Sequence, residues 1–387
     1  MQTNAIQIDS RLPQVGVTIF SVMSALAQEK GAVNLGQGFP DFPCDPALPQ
    51  AVTEAMQAGR NQYPPMPGVA ELRTAIAAKI ARLYGREYCA QQEITVTAGA
   101  TQAILSVILC AVRAQDEVII IEPAYDSYAP ALQLAGAVIK TVQMTVDAQG
   151  YHVPWDTVAH SISAKTRMLI INSPHNPTGS ILRAADMQRL SDLLAGSDIL
   201  LLSDEVYEHM VYDGQAHESA ARWPELARRA FIVSSFGKTY HVTGWKVGYV
   251  AAPAALSAEF RKVHQYNVFT VNAPMQYGLA AYMADPAPYL QLPAFYQRKR
   301  DLFRAGLAKT RFEILPADGT YFQCVKYSAI SDILELDFAK WLTTEIGVAA
   351  IPVSAFYQAP QESGIVRFCF AKQDATLELA LERLARI

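Results

Sequence analysis

From about Glu93 to Gly248 short apolar runs alternate with helical or looped segments, the pattern of a parallel or mostly parallel sheet covered on both faces. The runs Ile94 to Thr97, Glu117 to Ile121, Met168 to Asn172, Ile199 to Ser203, Ala230 to Ser234 and Val247 to Ala251 predict its strands. Between them, Thr101 to Val112 and Ala185 to Ala195 hold apolar residues at helical spacing. After roughly Asp285 the character changes. A long polar-apolar helix is expected around Tyr289 to Thr310, then strands at Gly319 to Val325 and Ile365 to Ala371, then an amphipathic helix from Ala375 to Ile387. The stretch before Asp45, with Gly36, Gly38, Pro40 and Pro43 near its end, reads as an arm that packs elsewhere. The expected organisation is therefore α/β: an N-terminal arm and part of a small domain over 1–45, a large α/β domain over 46–285, and a smaller C-terminal α+β domain over 286–387.

Composition narrows the possibilities. A chain of 387 residues with 51% hydrophobic content can bury a large core. Its net charge of −4 and the absence of like-charge blocks disfavour nucleic acid or an anionic membrane as partner. Met1 to Arg11 lacks the order of a signal peptide, and the apolar run Ile104 to Val112 is too short to span a bilayer, so a cytoplasmic location is expected. Five scattered cysteines (Cys44, Cys89, Cys110, Cys324, Cys369) without a C-x-x-C pair argue against a disulfide framework and read as buried packing thiols. With no histidine pair at ligand spacing, no metal is assigned.

The chemistry lies where the predicted strands end. Lys238 follows the Ala230 strand in a loop of small and hydroxylated residues, at the position where open α/β sheets hold ligands. Partial desolvation and a nearby cation such as Lys246 would lower its pKa and fit it for Schiff-base chemistry. Ala98-Gly99-Ala100-Thr101 leaves backbone N–H groups free for an anion at a helix N-terminus. Glu122-Pro123-Ala124-Tyr125 puts a ring where a flat ligand could stack. Asn172 and Asn176 sit in a sharply turned Pro-rich loop as amide donors. Asp204 ends a strongly apolar strand, where a carboxylate is costly unless it meets a cation such as a protonated ring nitrogen. Together these are the parts that pyridoxal phosphate needs. Gly237-Lys238-Thr239 imitates a P-loop tail, but the first glycine of that motif would fall on Ile232.

In order, Asn172-x-Pro174-x-Asn176-Pro177-Thr178-Gly179, Ser203-Asp204-Glu205-x-Tyr207, Ser235-x-x-Lys238 and Gly244-Trp245-Lys246-x-Gly248-Tyr249 resemble the fold-type I pyridoxal phosphate aminotransferases of classes I and II over nearly the whole chain. Asn34 to Phe42, Asn61-Gln62-Tyr63 and Arg367 to Phe370 resemble the methionine, kynurenine and glutamine branch. The resemblance implies a large domain with a mostly parallel seven-stranded sheet and a homodimer with shared active sites. It also implies roles. Lys238 would bond the cofactor and shuttle a proton; Asp204 would pair with the pyridine nitrogen; Asn176 and Tyr207 would bond the ring oxygen; Tyr125 would stack. The amides of Ala100 and Thr101, with Ser235 and Lys246, would hold the phosphate, and Tyr63 would reach across from a second subunit. Arg367 would grip the substrate carboxylate in a bidentate fork, helped by Asn176 and the backbone at Gly38. Lys246 stands where many relatives have arginine, which keeps the charge and loses the planar fork. The expected reaction moves the amine of an L-amino acid to a 2-oxo acid by a ping-pong route. The Tyr266 to Asn272 stretch offers Asn267 and Asn272 but no arginine for a second carboxylate, which suits an apolar, thioether or aromatic side chain, and the resemblance favours methionine among these. The alternative is a kynurenine- or glutamine-type aminotransferase, or a cysteine-conjugate β-lyase on the same scaffold.

Overall fold

The computed structural model describes residues 8–387; the first seven residues of the expected arm lie outside that range. A seven-stranded sheet runs in the spatial order Ile94–Thr97, Gly248–Ala251, Ala230–Ser235, Leu200–Asp204, Thr166–Asn172, Glu117–Glu122, Val138–Gln143. Only Gly248–Ala251 is antiparallel to its neighbours; the remaining pairs are parallel. Strand residues alternate between two cores. Ile119, Ile121, Leu169, Ile171 and Leu201 face one layer, while Val118, Ile120, Met168, Ile170 and Leu202 face the other. Successive side chains of a strand point to opposite faces, so covering both faces requires the unbroken apolar runs seen in the sequence.

The Val138–Gln143 strand was not anticipated. It is an edge strand whose only buried side chain is Val142, so the apolar signal of an interior strand is missing. The helices Ala47–Gln57, Ala70–Tyr84, Ala254–Asn267 and Ala273–Tyr282 also pack around this domain. The expected helix over Tyr289 to Thr310 is two helices, Ala287–Leu290 and Leu292–Leu307, separated by Gln291 just ahead of Pro293 at the second N-terminus.

The small domain is built on an antiparallel four-stranded sheet, ordered Glu313–Ile314, Phe322–Lys326, Ile365–Cys369, Ile351–Pro352. The strand predicted from Gly319 begins only at Phe322, because Thr320 is held at a left-handed φ of 61°. The arm belongs to this domain. Its helix Ile19–Lys30 opens with the Thr18 side chain accepting from the Ser21 amide and closes at Gly31 in the left-handed conformation. Val33–Asn34 then pairs in parallel with Val348–Ala349. Of the cysteines, Cys324 and Cys369 are buried, whereas Cys89 is exposed, so packing does not account for all five. No helix among the described residues is long and apolar enough to cross a membrane.

Candidate active site

Because all strands but one run the same way, Thr97, Glu122, Asn172, Asp204 and Ser235 finish at one end of the sheet. The small domain closes over that end and leaves a cavity of about 250 Å³. It is lined by Gly38, Ala100, Thr101, Tyr125, Asn176, Asp204, Tyr207, Ser235, Lys238, Lys246 and Arg367, which is every site residue expected from the sequence except one. The exception, Tyr63, is 82% exposed, and its ring packs edge-on against Phe269. Nearby Tyr266 is also exposed.

One end of the cavity is an anion cradle. The helix Gly99–Ala111 points its N-terminus into the cavity, and Gly99 has a φ of +78°, which favours glycine. A Cβ there would lie 3.4 Å from Lys246 Cε and 3.5 Å from its Nζ, so the ammonium sits directly over the helix end. Lys246 itself has a left-handed φ of 54°. The Ser235 hydroxyl, which accepts from the Gly237 amide, and the Thr101 hydroxyl, 3.3 Å from Tyr125 Oη, complete the rim. A helix N-terminus with a cation and two hydroxyls suits a phosphate.

The middle holds the carboxylate and the amine. Asp204 is buried, and burial pushes its pKa up to about 6, against the opposing pull of the Tyr128 hydroxyl at 2.6 Å and the Val206 amide. Asn172 donates to the Asp204 carbonyl at 2.9 Å and accepts from the Asn176 amide at 2.8 Å, fixing the turned loop to the strand beside it. Lys238 lies in the one-turn helix Phe236–Thr239 directly after its strand. Burial lowers its pKa to about 8; among neighbouring cations Arg367 contributes ahead of Lys246, the one expected from sequence. Its Nζ donates to Tyr321 Oη at 2.9 Å and to the Gly38 carbonyl at 3.1 Å.

At the far end Arg367 is 1% exposed. Nη1 donates to Asn176 Oδ1 at 2.7 Å and Nη2 to the Gly36 carbonyl at 3.1 Å, while Nε is buried without a partner. The guanidinium is 3.9 Å from the Phe322 ring centroid, with Phe356 at 5.0 Å and Phe20 at 5.5 Å. No carboxylate pairs with it among the described residues, and burial lowers its pKa. A buried guanidinium with a free N–H calls for an anion, and a carboxylate fits its fork.

The residues present therefore fit pyridoxal phosphate and an amino acid: a phosphate cradle, a buried carboxylate suited to a ring nitrogen, an amine, and a guanidinium fork suited to a carboxylate. Asn267 donates to Ser106 Oγ, and the Asn272 side chain caps the Ala273–Tyr282 helix, so both amides serve the fold. Sequence reasoning missed Phe20, Phe322 and Tyr321, and passed over Tyr128 in favour of Tyr125. Tyr128 stands three residues beyond Tyr125 at the start of the Tyr128–Ala135 helix, a spacing that places both near one ligand; Tyr321 has no comparable signal.

The aminotransferase class I and II family matches residues 30–384. The chain is 49% identical over 388 residues to the methionine aminotransferase of Escherichia coli, covering all of both chains. An E. coli crystal structure described as identifying a methionine aminotransferase function superimposes with a TM-score of 0.97 over 99% of this chain and 100% of that one. A probable N-succinyldiaminopimelate aminotransferase of Mycobacterium tuberculosis is 40% identical over 97% of both chains. The kynurenine–oxoglutarate transaminase of Dictyostelium discoideum is 32% identical, covering 96% of this chain and 94% of its own.

Proposed function

The chain belongs to the class I and II aminotransferases and is a transaminase, and from that premise we propose that it binds pyridoxal phosphate in the cavity and moves the amine of L-methionine, or a similarly apolar amino acid, to a 2-oxo acid. The observation that carries the reading is the convergence of Lys238, Asp204, Lys246 and Arg367 on one cavity. When bound, the cofactor supplies an aldehyde to receive the amine and a conjugated ring to take up electrons from the α-carbon.

The chain does the rest. The amides of Ala100 and Thr101, with Ser235 and Lys246, would hold the phosphate; Asn176 and Tyr207 would bond the ring oxygen; Tyr125 would cover the ring; Asp204 would face the ring nitrogen as an anion. Lys238 Nζ, with a pKa near 8, can release a proton near neutral pH and accept one from the substrate α-carbon. Arg367 fixes the substrate carboxylate and so aims the α-hydrogen at that amine. The phenyl rings of Phe20 and Phe322 and the side chain of Ile104 line the remaining wall, an apolar and aromatic surface on which a thioether packs well. No second arginine lines the cavity among the described residues, which disfavours a dicarboxylic donor.

Our reading has the protein work as a homodimer in which Tyr63 serves the neighbouring site; the exposed Tyr63, Tyr266 and Phe269 support it. We also assign it to the cytoplasm, on its five free cysteines. The deciding experiment is a set of initial rates over a panel of amino acids with a 2-oxo acid acceptor. Methionine is expected to lead and Lys238→Ala to abolish turnover; aspartate outrunning methionine would refute the substrate assignment.

A further inference from the structure

Three polar atoms from distant parts of the chain meet in a triangle beneath the cavity floor. Lys238 Nζ donates to Tyr321 Oη at 2.9 Å and to the Gly38 carbonyl at 3.1 Å, and Tyr321 Oη donates to the same carbonyl at 2.5 Å. Tyr321 is fully buried and is not itself a cavity wall. Its ring is clamped by Tyr207 and Phe322 at centroid distances of 5.2 and 4.9 Å and by Tyr296 at 5.7 Å. Because the phenol proton goes to Gly38, the hydroxyl meets Lys238 with a lone pair and acts there as an acceptor.

We propose that Tyr321 is a positioning residue for the transamination, holding the Lys238 amine with the Gly38 carbonyl at a fixed place from which it exchanges the α-proton. A lysine side chain has four rotatable bonds and wanders unless something fixes its head group. Proton transfer is sensitive to small displacements of donor and acceptor. The aromatic clamp leaves the phenol one orientation, and Gly38 is held by the small domain: the Cys369 amide donates to the Leu35 carbonyl at 2.7 Å, and Lys372 Nζ to the Phe39 carbonyl at 2.8 Å. The amine is thus referenced to the small domain, although Lys238 itself belongs to the large one. This inference rests on Lys238 being the proton-transfer group of the proposed function.

The test compares the wild type, Tyr321→Phe and Tyr296→Phe. The second variant is a control, since Tyr296 is an adjacent buried tyrosine whose hydroxyl has no partner. Each is first checked for an unchanged melting profile; both substitutions keep the ring and its packing. Two quantities are read beside kcat and KM. One is the primary isotope effect on kcat with α-deuterated L-methionine. The other is the pH dependence of acylation of Lys238 by acetic anhydride in cofactor-free protein, followed by mass spectrometry. Tyr321→Phe is expected to raise the isotope effect, to lower kcat roughly tenfold with KM little changed, and to move the labelling midpoint downward, because the ammonium loses an acceptor. Tyr296→Phe is expected to change neither. An unchanged isotope effect or an unmoved midpoint in Tyr321→Phe overturns the proposal. Turnover surviving in Lys238→Ala would instead refute the function on which it rests, so the two failures are distinct.

Discussion

Tyr128 Oη donates to Asp204 Oδ2 at 2.6 Å, and both side chains are buried. The bond opposes the desolvation that raises the Asp204 pKa to about 6. Removing it with Tyr128→Phe would push that pKa higher and leave less carboxylate at neutral pH. Hydrogen bonds to charged groups contribute about 1.5–3 kcal/mol, so the variant should bind pyridoxal phosphate roughly ten- to a hundredfold more weakly. Equilibrium dialysis near pH 7 checks this, and wild-type affinity would contradict it.

The desolvated, partly buried Lys238 ammonium makes stability depend on pH. Its folded pKa of about 8 lies below the ordinary 10.5, so between these values the unfolded chain holds a proton that the folded chain has lost. Stability of the cofactor-free protein therefore rises with pH through that window, and below it the full cost, ~3 kcal/mol, applies. Lys238→Met should melt higher than the wild type at pH 7 and lose that advantage as the pH approaches 10.5. A gap that stays constant over this range would exclude the assignment.

Arg367→Lys keeps the charge and removes the planar fork. The kcat/KM for methionine should fall about ten- to a hundredfold, mostly through KM. The decarboxylated analogue, 3-(methylthio)propylamine, should react with both proteins equally slowly. If the variant lost activity on the two compounds in the same proportion, Arg367 would not be the carboxylate site.

Lys79 and Glu208 form an ion pair at 2.6 Å with both side chains buried. Burial raises the Glu208 pKa, but Lys79, His209 and the Ser234 hydroxyl together outweigh it and hold the carboxyl below its ordinary value; Tyr84 and Tyr249 also donate to the carboxylate. The pair anchors the Ala70–Tyr84 helix to the segment that follows Asp204 and Tyr207. Lys79→Met strands a charge and should cost about 3–5 kcal/mol; Lys79→Met with Glu208→Gln should recover part of it. Thermal melting of the three proteins decides.

Tyr63 can be tested by mixing subunits. Lys238→Ala and Tyr63→Ala are each expected to be poorly active as homodimers. A hybrid dimer of the two has one site with an intact lysine and, if Tyr63 acts across the interface, an intact tyrosine from the partner. Activity should therefore reappear in the hybrid. A hybrid no better than the Tyr63→Ala homodimer would place the tyrosine in its own subunit's site or in none.

Much of this molecule was legible because its strand ends carry the chemistry. An interior parallel strand must be apolar throughout, so Asp204 and Asn172 stood out as polar ends on such runs, and Lys238 stood out just beyond one. The common direction of the strands then obliges those ends to gather at one edge of the sheet. The Val138–Gln143 edge strand escaped notice for a related reason: an exposed edge has no apolar signature.

What the sequence alone determined is thus the set of local statements: which segments are buried, where they stop, and which reactive group sits at each stop. The family resemblance already grouped Lys238, Arg367 and the Gly38 backbone; only the tertiary structure brought Tyr321 to the Lys238 amine and the Gly38 carbonyl. These positions are far apart along the chain, and their meeting depends on how the small sheet and the arm pack over the large sheet. The lowered pKa of Lys238 and the raised pKa of Asp204 arise from that packing, because desolvation is a property of everything that surrounds a group and not of its neighbours in sequence.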